Sequence, residues 1–131
     1  MQSVLTMRET KILLVDDNKK VREKLKTLLD CEEGIQVVGE AKNGLEAIQL
    51  AERLAPNMVL MDVKMPQMGG IEAASVLKKL HPEISVILLS VYENHELTER
   101  GARAGASAYV VKDAPVEDLI KSIKKYDRQE D

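Results

Sequence analysis

The sequence predicts an α/β fold, a five-stranded parallel sheet with five helices, doubly wound in the flavodoxin-like (βα)5 manner. Three observations predict it. Short apolar runs recur at Ile12–Val15, Ile35–Val38, Met58–Met61, Val86–Leu89 and Ala108–Val111. Longer stretches with helical spacing separate them, so strand and helix alternate five times. The runs have little polar interruption, as strands do when helices cover both faces of a parallel sheet.

The elements follow in order. Residues 1–10 (MQSVLTMRET) show no clean period and read as a loose leader. The folded domain is placed at 11–125, with right-handed crossovers. Val21, Leu25, Leu28 and Leu29 form the stripe of a first helix, with Asn18 as its N-cap. Asn43 and Glu46 resemble a capping box, and Ala47, Ile48, Ala51, Leu54 and Ala55 continue that helix. Ile71, Ala74 and Leu77 mark a third, opened by Gly69–Gly70 and closed before Pro82. Asn94–Ala104 is the fourth. Pro115 suits the first turn of the fifth, with Val116, Leu119, Ile120 and Ile123 facing inward. The polar stretch after Ile123 is expected to fray, leaving 126–131 as a tail.

Composition narrows the function. The chain has 131 residues, enough for one domain with its own core. Nineteen basic against 22 acidic residues give a net charge of −3, which argues against a whole-surface nucleic-acid binder. A single cysteine, Cys31, excludes a disulfide framework and a Cys-based zinc finger, and suits a reducing, cytoplasmic compartment. No apolar run is long enough to span a membrane.

In such a sheet, function collects beyond the carboxyl ends of the strands. Strand one ends in Asp16–Asp17, strand three in Asp62, strand four in Ser90 and strand five in Lys112. Two carboxylates about 5 Å apart repel by about 3 kcal/mol at an effective dielectric near 20. Either their pKa values rise or a cation sits among them. Hard oxygen donors without His or Cys select Mg²⁺, which favours phosphate partners. A carboxylate can accept a phosphoryl group as an acyl phosphate, with Ser90 and Lys112 binding its oxygens.

The strings LLVDDN at 13–18, MDVKMPQMGG at 61–70, LLS at 88–90 and AYVVKD at 108–113 resemble the receiver domain of two-component response regulators (the CheY-like fold). The run GARAGASAYVVKDAPVEDLIKSI is similar to the NarL/FixJ branch. The resemblance implies that Asp62 is the phosphoacceptor, phosphorylated by a sensor histidine kinase or phosphotransfer protein. It implies that Asp17 binds Mg²⁺ directly, that Asp16 holds a metal-bound water and that the backbone carbonyl of Lys64 completes the metal ligands with Asp62. Ser90 and Lys112 would contact the phosphoryl group, and Ser90 with Tyr109 would form the switch. The resemblance further implies a phosphoacceptor rather than an enzyme in its own right, no nucleic acid bound by this domain, and a phosphorylation-dependent homodimer as one output. The alternative is the N-terminal receiver of a NarL/FixJ-type DNA-binding transcriptional regulator.

Two features depart from or tune the family pattern. Asp113 follows Lys112 where the family usually has a cis proline. Lys64 and Tyr92 stand two residues past the acceptor and the hydroxyl, where the family controls loss of phosphate. An aspartate-nucleophile phosphatase would carry a second Asp at position 64, and Lys64 argues against it.

The remaining features read more plainly. Met58, Met61, Met65 and Met68 suit core and loop packing. His81 and His95 suit the surface, and Cys31 reads as half-buried and inert. Lys19, Lys20, Arg22, Lys24 and Lys26 suit a solvated helix face or, in the resembling family, a face that packs on kinase helices. Gly101 weakens the fourth helix by about 1 kcal/mol relative to alanine, which suits an element that moves.

Overall fold

A computed structural model describes residues 9–127. The order is β1 (Thr10–Val15), α1 (Lys19–Asp30), β2 (Ile35–Ala41), α2 (Gly44–Leu54), β3 (Met58–Asp62), α3 (Gly70–Leu80), β4 (Ser85–Ser90), α4 (His95–Arg103), β5 (Ala108–Val111) and α5 (Val116–Tyr126). All strand pairs are parallel, in the order β2-β1-β3-β4-β5. This is the doubly wound fold that the alternation predicts.

Alternate residues of each strand feed opposite faces. Leu13, Val15, Val59, Met61, Val86 and Leu88 pack with Ala47, Ala51, Ala73, Ala74 and Leu77 of α2 and α3. Ile12, Leu14, Leu60, Ile87 and Leu89 pack with Leu29, Leu119 and Ile123 of α1 and α5. Each fully buried leucine on these faces is worth about 1.5–3 kcal/mol over an exposed one. The alanines let α2 and α3 lie close to the sheet.

Side-chain caps fix three helix starts. Asn18 Oδ1 accepts from the Val21 N–H at 3.1 Å, Asn43 Oδ1 from Glu46 at 2.9 Å and Asn94 Oδ1 from Leu97 at 3.0 Å. Each cap contributes about 0.5–2 kcal/mol. Glu46 returns its carboxylate to the Lys42 N–H, one residue before the position a capping box uses.

Several expectations shift. Strand β2 runs three residues past Val38. A bulge skips Val38, and Gly39, Glu40 and Ala41 then pair with Leu13, Leu14 and Val15. An edge strand tolerates this polar end, so hydrophobicity alone understates its length. Thr10 belongs to β1 rather than to a leader, while residues 1–8 lie outside the described region. Helix α5 continues to Tyr126 because Ser85 Oγ donates to the Tyr126 carbonyl at 2.7 Å and Thr10 Oγ1 donates to Asp127. Residues 128–131 of the expected tail also lie outside the described region. Pro115 is the N-cap of α5, one residue before its first turn. Cys31 is exposed rather than half-buried, standing as the C-cap just past the last residue of α1. Gly101 is a close-approach residue: a Cβ there would meet Leu88 Cδ1 at 2.7 Å. Its helix cost is the condition for seating α4 on β4.

Candidate functional site

The carboxyl ends of the strands gather the polar side chains. Asp16 and Asp17 open the turn from β1 into α1, Asp16 buried and Asp17 exposed. Asp62 closes β3, and its side chain is 13% exposed. One carboxylate oxygen from each of the three lies within 4.8 Å of the others. Lys112, just past β5, reaches back across β4. Its Nζ donates to Asp16 Oδ2 at 2.6 Å and stands 3.3 Å from Asp62 Oδ2.

These contacts set the electrostatics. Burial pushes the Asp62 carboxyl above its ordinary value of 3.8; the Lys112 charge opposes this, Asp16 adds to it, and a hydrogen bond from the Lys64 N–H also opposes it. The net shift is upward, so one ammonium does not offset the burial and the neighbouring acid. Burial works against the charge on Lys112, yet the hydrogen bond to Asp16 and the two carboxylates hold its pKa above 10.5.

The backbone around the acids is tied down. The Asp16 N–H donates to the Ala41 carbonyl, and Asp16 Oδ1 accepts from the Asn18 N–H at 2.9 Å. The Gly70 N–H donates to the Val63 carbonyl at 2.9 Å, and a Cβ on Gly70 would collide with the Asp62 carbonyl. Asn43 Nδ2 donates to Gln67 Oε1 at 3.1 Å, and the Gly44 N–H to Met68 at 3.0 Å. The loop after Asp62 is thereby docked on the start of α2.

Ser90 ends β4, beside Asp62 on β3; it is buried, and its Oγ accepts from the Tyr92 N–H at 3.1 Å. The Ser90 carbonyl accepts from the Lys112 N–H at 2.7 Å, joining the hydroxyl and ammonium positions through one peptide contact. Lys64 and Tyr92 are both exposed and meet, with Lys64 Nζ 5.2 Å from the Tyr92 ring centroid. Tyr109 is half-buried; its hydroxyl donates to the Tyr92 carbonyl at 3.2 Å. Every peptide bond among the described residues is trans, including Lys112–Asp113.

Residues 12–124 match the family described as the response regulator receiver domain. The chain belongs to that family. This receiver is 41% identical over 115 residues to the response regulator GacA of Pseudomonas aeruginosa, covering 88% of this chain and 54% of that protein. It is 39% identical over 113 residues to the transcriptional regulatory protein YdfI of Bacillus subtilis, covering 86% and 53%. The chain thus spans about half the length of the curated relatives it matches. Among solved structures, the response regulator domain of Thermotoga maritima CheB superposes with a TM-score of 0.85 at 32% identity, covering 95% of this chain and 99% of that one. A two-component response regulator of the LuxR family from Aurantimonas gives 0.86 at 31%, covering 89% and 84%. Receiver domains generally bind Mg²⁺ at an acidic pocket, and Asp16, Asp17 and Asp62 form such a cluster here.

Other residues fall elsewhere. Met58 and Met61 are core, and Met65 and Met68 pack against it. His95 is exposed beside Glu99. His81 is more enclosed than a surface residue, with Nε2 3.1 Å from Glu52 Oε1 though out of hydrogen-bond alignment. Among the described residues, no helix is long and apolar enough to cross a membrane. Arg22, which donates to the Asp16 carbonyl, and Glu40, which pairs with Arg22, are pocket neighbours that the sequence does not mark. The available signal was slight: Arg22 is the one guanidinium in a run of lysines.

Proposed function

We propose that this receiver accepts one phosphoryl group on Asp62 in a Mg²⁺-dependent transfer. The contact that supports it best is Lys112 Nζ held between the Asp16 and Asp62 carboxylates, with Asp17 in reach. Asp16, Asp17, Asp62 and the Lys64 carbonyl would hold Mg²⁺, whose charge offsets that of the incoming phosphoryl oxygens. The all-oxygen donor set and the raised Asp62 carboxyl fit that ion. Asp62 Oδ attacks phosphorus and the new O–P bond forms as the donor's bond to phosphorus breaks (N–P in a phosphohistidine, O–P in an acyl phosphate), with the imidazole or carboxylate leaving with the electron pair. Lys112 and Ser90 bind the transferred oxygens. Satisfying them draws Ser90 off the Tyr92 N–H, and Tyr109, bonded to the same residue, follows.

The donor is a sensor histidine kinase or phosphotransfer protein, or a small acyl phosphate. Helices α1 and α5 with β5 line a groove of about 390 Å³ that includes Val21, Leu25, Leu28, Val110 and Leu119, with Lys24 at its side. Lys19, Lys20 and Lys24 are exposed on α1, which suits packing against a kinase helix. The output is a protein-interaction surface around α4, β5 and α5, read by a second copy or a separate partner. Relatives of which this chain matches only about half the length also support the reading as the receiver of a transcriptional regulator, which changes the output and leaves the site the same. The domain acts as a phosphoacceptor in the cytoplasm.

Mass spectrometry after incubation with Mg²⁺ and acetyl phosphate tests the assignment. The parent should gain one phosphoryl mass, and Asp62→Asn should gain none. A persistent gain in Asp62→Asn overturns it.

A further inference from the structure

Arg22 makes a fork that the proposed chemistry leaves unexplained. Its side chain is 15% exposed, on the first turn of α1. Nη1 donates to the Asp16 carbonyl at 2.6 Å, and Nε donates to Glu40 Oε1 at 3.0 Å. Glu40 stands on the part of β2 beyond the bulge, one residue before Ala41, whose carbonyl receives the Asp16 N–H. Both sides of the Asp16 residue are therefore tied to the end of β2, directly through Ala41 and through Arg22 by way of Glu40. Lys112 and the Asn18 N–H hold its carboxylate.

We propose that Arg22 is a positioning residue of the acidic pocket. Bridging to Glu40, it clamps the Asp16–Asp17 peptide so that both carboxylates face Asp62. The proposal rests on the Mg²⁺ reading of that pocket. A guanidinium suits the task because its planar fork serves two acceptors at once, whereas a lysine ammonium is a point charge on a flexible stem. The cost of a cation beside a divalent-ion site is offset by Glu40, which pairs with it.

Charge and geometry predict opposite results, and that makes the test decisive. If Arg22 acted through its charge alone, Arg22→Gln would remove a repelling cation and tighten Mg²⁺ binding. Arg22→Lys would then leave it unchanged. If Arg22 positions the peptide, both variants weaken binding, since neither keeps the fork. The expected loss is about tenfold for Arg22→Gln, the low end for residues that orient metal ligands, and smaller for Arg22→Lys. Titration calorimetry with Mg²⁺ alone, well below the melting temperature, reads the affinity of the folded protein. A merely structural role would lower the melting temperature without changing that affinity. Should Arg22→Gln fail to fold, Arg22→Lys decides, because it keeps the charge and changes only the geometry. Normal binding by the parent with unchanged or tighter binding by the folded variants overturns the inference alone. Absence of Mg²⁺ binding by the parent overturns the underlying reading, and the inference with it.

Discussion

The two ends of the sheet treat polar groups in opposite ways. At the amino end they pair off. Ser85 is buried and donates to the Tyr126 carbonyl, Thr10 donates to Asp127, and the Lys11 N–H donates to Asn57 Oδ1 at 2.7 Å. Every one of these contacts is a donor meeting an acceptor. At the carboxyl end three carboxylates face one ammonium, and burial, with Asp16 adding to it, pushes the Asp62 carboxyl up against the pull of Lys112. At one end donors and acceptors match, and at the other the acids outnumber the ammonium that reaches them. Polar residues mark both ends, so polarity alone does not locate function; unbalanced charge does.

The largest effect that can break this contrast is the response to metal. Mg²⁺ at a hundredfold excess over its dissociation constant should add about 2.7 kcal/mol of stability. Thermal melts should show that gain in the parent and little of it in Asp17→Ala. An equal gain in Asp17→Ala would mean that the carboxyl end is not the part the ion relieves.

Ser85→Ala tests the other end. It leaves the Tyr126 carbonyl without its donor and should cost about 1–2 kcal/mol in chemical denaturation. Its Mg²⁺ response should equal the parent's. A changed response would show that the two ends are coupled rather than separate.

A smaller effect concerns the mouth of the pocket. Replacing Lys64 and Tyr92 together by alanine removes their cation–π contact, worth about 0.5–1 kcal/mol at an exposed site. The acyl phosphate of the double variant should decay roughly two- to fivefold faster, followed as loss of the phosphoryl mass. Equal decay would show that the pair does not screen the phosphate from water.

The smallest effect is in pH. The folded Asp62 carboxyl titrates above 3.8, so its protonated form favours the fold. That contribution is fully present below 3.8 and is lost as pH rises through the higher folded value. Metal-free Asp62→Asn should therefore melt a few degrees above the parent at neutral pH. The gap should close as pH falls toward 3.8. A gap that widens on acidification would reverse the sign assigned to the pocket.

Much of this contrast is legible in the sequence because it rests on local rules. Asn18, Asn43 and Asn94 are read as helix starts, or sit at them, because a side-chain oxygen two or three residues from an unpaired N–H needs no tertiary context. Asp16, Asp17, Asp62, Ser90 and Lys112 are legible because each ends an apolar run, and parallel strands bring their ends together. What stays hidden depends on contacts between distant elements. Gly101 reads as a weak helix residue until Leu88 is placed against it. Glu40 falls outside the apolar run that marks β2, so its bridge to Arg22 has no trace in periodicity. Tyr126 extends the last helix because Ser85, on a distant strand, donates to its carbonyl, a partner that local spacing does not reveal.

The span between Lys112 and the acids bears on biosynthesis. Ninety-six residues separate Lys112 from Asp16, and β5 pairs only with β4 at the far edge of the sheet. A ribosome releases the chain from its amino end. Strands β1, β2 and β3, with all three aspartates, emerge well before the ammonium that is to sit among them. The nascent domain passes through a stage in which its central strands can pair while their acidic tips lack the Lys112 counterion. During that stage the charge of those tips is left to dissolved cations and to the basic side chains already made, such as Arg22.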